Sequence, residues 1–394
     1  MHFPFAMAIK DHTLLVSSQD SDGKYSYGRL VALDTQVINN ALKNLKADNA
    51  LDWQPALKSN VLIPPDAGLI SFEDQIIFAS RADNQLYTAA EPLCNEPSQV
   101  INNCPNNTTL KLSENDPYAL AILEQNPNRD VILASYLSSG RIDLIELDKK
   151  PSKPVLKPLK NFLIQDWVGE KFKGDFFIKK VSVTQASKPD QAQVFLLVER
   201  KVSKEYIHDL AERKSTFKLA LLQKNTGALL VSVKVKDLLD KDKIDVADIK
   251  IRNLQENFGI YLAQDFYINE KDNTAVILAR SPENLIKIGL AQESLLERQL
   301  VCRGSSSMAV SRKLDRIFVP CFSDNRIISF TLSSLALMAA SDHHGRGPAF
   351  AVIDEKHETV FVSFNTEGKV GIFDFDLGYL GHLFQPAPIN RVGS

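Results

Sequence analysis

Three apolar runs separated by polar turns return at a near-constant interval along this chain, and that repeat limits its fold more than any other feature. Residues 347–376, GPAFAVIDEKHETVFVSFNTEGKVGIFDFD, hold such runs at Ala349–Ile353, Val360–Phe364 and Val370–Phe375. Residues 304–332 (GSSSMAVSRKLDRIFVPCFSDNRIISFTL) and 265–290 (DFYINEKDNTAVILARSPENLIKIGL) follow the same plan. First strands begin near 265, 306 and 348, spaced by 41 and 42 residues. A four-stranded propeller blade takes roughly 40–45 residues, so the period predicts blades. The plan returns at 116–148 and at 3–34, and more weakly from Gly68 and from Phe176, where FFIKKVSVTQ, QVFLLVERKV and FKLALLQ are read as strands. These units make seven. The expected fold class is all-β: a seven-bladed β-propeller with four-stranded antiparallel blades and short helical insertions. It is read as one domain over 1–394, with blades at about 1–65, 66–115, 116–170, 171–262, 263–304, 305–345 and 346–390.

Runs such as Val131-Ile132-Leu133-Ala134 and Val194-Phe195-Leu196-Leu197-Val198 are continuously apolar rather than alternating. Blades packed on both faces explain this, because their inner strands have no solvent side. Each fourth strand is less distinct, as an outermost, half-exposed strand should be. Tyr379–Phe384 is the expected outer strand of the last blade. Ile38, Leu42 and Leu45 stand at helical spacing within 36–57, and the charged stretch 201–216 is read as an insertion. Residues 236–263 lengthen the link between the fourth and fifth units. Pro320 sits inside the run Ile317–Phe322 and predicts a bulge, since proline cannot donate to a ladder.

Charge is balanced, with 46 Lys+Arg against 48 Asp+Glu, which argues against holding nucleic acid through overall charge. No apolar stretch approaches the roughly 20 residues of a membrane helix. The opening MHFPFAMAIKDH has no signal-peptide pattern and starts inside a strand. The expectation is a trimmed chain whose targeting segment has been removed; a cytosolic protein starting at Met1 is the alternative. The four cysteines form two local pairs, Cys94 with Cys104 and Cys302 with Cys321, which fits disulfides in an oxidising compartment. Metal ligation would need C-x₂₋₄-C spacing, which is absent. Four free thiols are the alternative.

The units LLVSSQDSDGKYSYGRLVALD, VILASYLSSGRIDLIELD, RIFVPCFSDNRIISFTL and TVFVSFNTEGKVGIFDFD resemble the YVTN or YncE-like repeats of bacterial seven-bladed propellers. The openings FPFAMAI, DPYALAI and GPAFAVI are similar to that family's lead-in to the channel-facing strand. The likeness covers 3–34, 116–148 and 265–376, and the long first turn resembles a subset of envelope lipoproteins. It implies a periplasmic or outer-membrane lipoprotein, touching membrane only through a lipid anchor or signal segment. It implies no catalytic residues, because propellers host enzymes, receptors and scaffolds alike.

No P-loop, GxGxxG, G-x-S-x-G or CxxCH is present; Gly304-Ser305-Ser306-Ser307 lacks the nucleophile-elbow pattern. Asp20-Ser21-Asp22-Gly23 resembles the opening of a calcium loop, but the twelfth residue from Asp20 is Val31, where a bidentate glutamate is needed. A plain Asp-Gly turn accounts for it better, and no cofactor is expected beyond this weak calcium candidate. Asn106 and Asn107 both begin N-x-[ST] triplets, which are frequent by chance.

Alternating strand direction puts loops between blades and second turns within blades on one face. That face is the expected ligand-binding channel mouth. It gathers Asp20, Asp22, Lys24, Tyr25 and Tyr27 from the first blade, Arg81 and Asp83 from the second, and Asp324, Asn325 and Arg326 from the sixth. His343, His344 and Arg346 come from the loop opening the seventh. Functional side chains tend to sit on loops over a rigid scaffold. The expected function is binding or scaffolding by a monomer, with an unidentified protein or small-molecule ligand and no nucleic acid. The alternative is a lactonase-like hydrolase with a metal-dependent site at the channel mouth.

Overall fold

β-branched and aromatic residues suit a pleated, packed surface, and each apolar run pairs with the next across a short turn. The computed structural model describes residues 2–20, 25–45, 50–64, 67–72, 75–89, 99–104, 107–150, 153–168, 172, 174–184, 191–201, 227–384 and 389–390. They form seven four-stranded antiparallel sheets in up-and-down order, the blades of a β-propeller.

The first blade is β1 (His2–Lys10), β2 (Thr13–Asp20), β3 (Tyr25–Asp34) and β4 (Leu57–Ile63). The second is β5 (Ala67–Phe72), β6 (Ile76–Ser80), β7 (Gln85–Ala89) and β9 (Thr108–Lys111), while the short β8 (Gln99–Val100) runs parallel beside β4. The third is β10 (Pro117–Asn126), β11 (Arg129–Tyr136), β12 (Arg141–Asp148) and β13 (Val155–Leu163). The fourth is β14 (Asp175–Val183), β15 (Gln193–Lys201), β16 (Gly227–Lys234) and β17 (Lys250–Asn253). The fifth is β18 (Leu262–Asn269), β19 (Thr274–Ser281), β20 (Glu283–Gly289) and β21 (Ser294–Leu300). The sixth is β22 (Ala309–Ser311), β23 (Arg316–Cys321), β24 (Arg326–Thr331) and β25 (Leu337–Ala340). The seventh is β26 (Pro348–Asp354), β27 (Thr359–Phe364), β28 (Lys369–Asp374) and β29 (Tyr379–Phe384), with β30 (Ile389–Asn390) returning to pair with β3.

Second strands are buried along most of their length, as β19 and β27 illustrate, whereas β21 and β25 show mostly exposed residues. Asn273, Asp315 and Glu358 hold left-handed backbone just before the second strands of their blades, a conformation Asn and Asp tolerate better than most residues.

Three expectations are corrected. The third strand of the fourth blade is Gly227–Lys234, paired with Arg200–Gln193 along its full length; FKLALLQ lies outside the described residues. Residues 236–263 are more than a link, because they contain the outer strand β17. Pro320 causes no bulge and stays in register opposite Ile327. The inner strand β22 pairs only with Arg316–Phe318, so no ladder bond toward that side is asked of the proline nitrogen. The charged insertion 201–216, beyond Lys201, also lies outside the described residues.

The chain divides into two compact units. The first is Met1–Leu112, Asp148–Leu156 and Gln299–Ser394, holding blades 1, 2, 6 and 7. Here the two ends of the chain meet. Met7, Leu14, Val16 and Ile38 share one apolar cluster with Phe361, Val370, Ile372 and Leu383. Helix α1 (Thr35–Leu42) supplies Ile38 and is capped by Asp34, which accepts from the Gln36 and Val37 amides at 2.8 and 3.3 Å. The Leu51 amide donates to the His382 carbonyl at 2.8 Å.

The second unit is Ser113–Leu147 and Lys157–Arg298, holding most of blades 3, 4 and 5. Helix α2 (Ile164–Val168) buries Trp167 against Phe162, with ring centroids 5.5 Å apart. Helices α3 (Val235–Asp240) and α4 (Leu254–Phe258) flank β17.

One tyrosine in each unit is fully buried on a carboxylate. Tyr87 donates to Asp83, and Tyr136 donates to Asp143 at 2.6 Å. Burial, then the neighbouring carboxylate, pushes both phenols well above their usual range. The unfolded chain releases these protons near pH 10 while the native state retains them, so stability is intact below pH 10 and falls as pH rises beyond it. The expected slope is up to about 1.4 kcal/mol per pH unit per tyrosine. Denaturant midpoints measured from pH 9 upward should flatten in the Tyr87→Phe, Tyr136→Phe double variant. An unchanged alkaline slope would contradict this assignment.

Candidate functional site

In the first unit, four loops of blades 6 and 7 are cross-tied into one surface. Cys302, before blade 6, is disulfide-bonded to Cys321 at the end of β23, with Cα atoms 5.6 Å apart. Beside the bridge, the Phe322 and Ser323 amides donate to the Gly304 and Arg303 carbonyls at 3.1 and 3.3 Å. Gly304 adopts φ +73° with its α-carbon face against Ser323, a position where a side chain has no room. Gly304→Ala should therefore lower stability by about 1 kcal/mol or more, read as a shift in denaturant midpoint.

Arg303 then lies on Asp324, its amide reaching Oδ2 and its Nε reaching Oδ1, both at 2.9 Å. Arg326 approaches the same carboxylate at 3.7 Å. The Arg303 amide above all, then its guanidinium and Arg326, hold the Asp324 carboxyl below the usual carboxylate range. Asn325, at φ +52°, accepts the Gly347 amide on its side-chain oxygen at 2.9 Å, and its carbonyl meets His343 Nδ1 at 3.1 Å. The Arg346 amide donates to Glu367 at 3.0 Å, and its carbonyl accepts from Thr366 at 2.5 Å. Lys369 donates to the His344 carbonyl at 2.8 Å.

Asp324, Asn325 and Arg326 are thus brought together with His343 and Arg346. His344 is not part of that exposed group. Its ring stacks on Tyr379 of the outermost strand, with centroids 4.4 Å apart and planes at 2°. Arg81 is exposed in the second turn of blade 2, and Asp83 is occupied by Tyr87. Tyr27 is half-buried on β3 opposite Ile389. Tyr25 starts β3 opposite Asn390 and Asp20 ends β2 opposite His2; their side chains, like Asp22 and Lys24 entirely, lie outside the described residues. Cys104 is disulfide-bonded, and Cys94, its expected partner, lies outside the described residues. Asn107 is 4% exposed and so cannot carry a glycan.

What remains in solvent is chemically distinct. The side chain of Arg303 is 74% exposed and that of Arg326 is 43% exposed, while Phe322, His343 and Arg346 also face water. Two guanidinium groups share one carboxylate, so the patch keeps net positive charge around an exposed aromatic ring. Such groups form charge-assisted and stacking contacts on backbones that need little ordering. Covalent catalysis has no equivalent support here. Ser306 and Ser307 both donate to the Ala349 carbonyl, at 2.5 and 2.9 Å, and neither is paired with a base. Among the described residues, no group of three or more His, Cys, Asp or Glu is arranged to hold a metal.

A second cluster, at the opposite ends of the inner strands, escaped the sequence reading. There a cavity of about 600 Å3 is lined by β1, β22 and β26. At its rim the buried Asp354 holds His357 Nδ1 at 2.8 Å, and Lys356 Nζ lies 3.0 Å from His12 Nε2. The two histidine rings are 5.9 Å apart. The Asp-x-x-His spacing within a turn was a local signal, but His12 joins only because the first and last blades meet.

No protein-family model matches the chain, and no curated protein matches it in sequence. In structure it is similar to hydrazine synthase of Kuenenia stuttgartiensis, with TM-score 0.59 and 9% identity over 95% of this chain and 96% of that one. It is also similar to Sqt1 of Saccharomyces cerevisiae, with TM-score 0.55 and 8% identity over 100% of this chain and 91% of that one. Likeness at such identities shows the fold, a β-propeller, and carries no function with it.

Proposed function

We propose that this chain is a non-enzymatic binding or scaffolding propeller of the bacterial cell envelope, engaging an acidic protein segment through the loops of blades 6 and 7. The observation that carries this reading is the cationic and aromatic surface of Arg303, Phe322, Arg326, His343 and Arg346, on loops locked by the Cys302–Cys321 bridge. The resemblance of the repeats to YncE-like ones supports an envelope location, as does a disulfide, which persists in oxidising compartments. Arginine and aromatic residues are over-represented at binding hot spots.

The test is cross-linking capture from a bacterial envelope fraction with wild type and with Arg303→Ala, Arg326→Ala, Arg346→Ala combined. The expected result is loss of the captured species in the variant with only a small fall in melting temperature, because ion pairs of exposed arginines contribute little to stability. Capture by wild type should also weaken as salt rises. Undiminished capture by the folded variant would move the binding surface elsewhere.

A second reading, a lactonase-like hydrolase sited at the opposite strand ends rather than at the expected channel mouth, draws on Asp354 and His357 beside the inner-strand cavity. A buried carboxylate orienting an imidazole is general-base geometry. Lactone hydrolysis assayed with and without added calcium or zinc, in wild type and His357→Ala, tests it. Turnover lost in that variant would replace the binding reading.

A further inference from the structure

We propose that the cleft between the outer strand of blade 4 and the turns of blade 5 binds a small organic monocarboxylate. Its anionic end would rest on Arg252 and Lys250, and its apolar body against Phe195, Ile268 and Leu290. The cleft has a volume of about 440 Å3 and lies wholly within the second unit. That size is in the range of small-molecule sites.

The sequence Lys-Ile-Arg-Asn of β17 builds the anionic subsite through strand periodicity. Residues two apart share a face, so Ile251 packs on the core of blades 3 and 4 while Lys250 and Arg252 both line the cleft. Arg252 is only 3% exposed. Its Nη1 donates to Ser232 at 3.3 Å and its Nη2 to the Leu290 carbonyl at 2.9 Å. Its Nε is buried and has no hydrogen-bond partner. The ion-pairing carboxylate, Glu293 Oε1, stands 3.7 Å from Nε on a side chain 43% exposed. Burial lowers the Arg252 pKa, with Glu293 opposing. A buried guanidinium so weakly paired is costly unless a further anion completes it.

The remaining lining narrows the class. The lining is mixed: Phe195, Ile268 and Leu290 are buried apolar walls that suit a hydrocarbon body, and Thr184, Gln191, Gln193 and Asn273 add hydrogen-bonding groups around it. Glu270, exposed at the rim, disfavours a second negative charge on the ligand.

Benzoate is the probe, with inorganic phosphate as the competing anion, titrated into the full chain by isothermal calorimetry. Saturable benzoate binding is expected with a Kd of about 1 mM or tighter. The Lys250→Gln substitution, at an exposed position, should weaken it about tenfold without changing the melting temperature. Arg252→Lys, which keeps the charge and loses the planar fork, should weaken it likewise. If that variant does not fold, Lys250→Gln alone decides. No saturation with wild type, benzoate binding unchanged by Lys250→Gln, or phosphate binding as tightly as benzoate would each overturn the proposal.

Discussion

Phe364→Ala should lower the unfolding free energy by about 3–5 kcal/mol and, at the same time, loosen the loop that presents His343 and Arg346. The ring is 1% exposed. It lies 6.2 Å from the Phe373 ring, and the Lys369 ammonium sits 5.4 Å from its centroid. It is also the floor of the 341–347 loop. A Cβ on Gly345 would collide with it, so the loop backbone rests directly on the aromatic face. Truncation removes the apolar burial, leaves a cavity and takes away that support. Denaturant unfolding reads the first effect. Hydrogen exchange of the Arg346 and Gly347 amides, bonded to Glu367 and Asn325, reads the second. Phe361→Ala is the control. That side chain is equally buried on the same strand but packs in the cluster shared with blade 1. It should cost a similar amount and leave those two amides protected. Equal exchange in both variants would show that the loop does not depend on Phe364.

Replacing both Cys302 and Cys321 with alanine should remove about 3 kcal/mol, the chain-entropy value for a bridge closing a span of 19 residues. Alanine avoids placing a serine hydroxyl where Cys321 is 0% exposed. The effect reaches the surface as well. Arg303 follows Cys302 directly, and its two bonds to Asp324 depend on the bridge holding 302–304 against β23. The double variant should therefore raise the Asp324 pKa toward the ordinary carboxylate value, a shift that carboxyl NMR can follow. Stability equal to wild type would mean that the bridge constrains the unfolded chain little. An unmoved Asp324 would mean that the arginine is positioned by the backbone bonds at Arg303 and Gly304 without the bridge.

Both predictions concern a surface whose parts were legible in the sequence but whose arrangement was not. Asn325, Arg326, His343 and Arg346 stand out as polar residues in turns flanking apolar runs, and alternation of strand direction puts them on one face. The same rule placed His344 beside them. A rule about loop ends cannot see that its ring would find Tyr379 and lie flat on it.

Local patterning by itself determined the strand content, the blade unit and its period, because burial on both faces demands continuous apolar runs and the turns demand Asp, Asn and Gly. It also marked Cys302 and Cys321 as near neighbours, since their separation is within one blade. Pro320 was misread because a ladder bond matters only where a neighbouring strand exists, and the shortness of β22 is a property of the assembled blade. The cationic cleft at Arg252 has the same origin. Lys250 and Arg252 read as a solvated strand, and only the docking of blade 5 against β17 buries the guanidinium under Leu290. The pairing of His12 with Lys356 depends likewise on the two chain ends meeting. Sequence periodicity is a short-range record of which side of a strand avoids water. Which distant strand arrives to cover it is decided by packing, and there the charges found their partners.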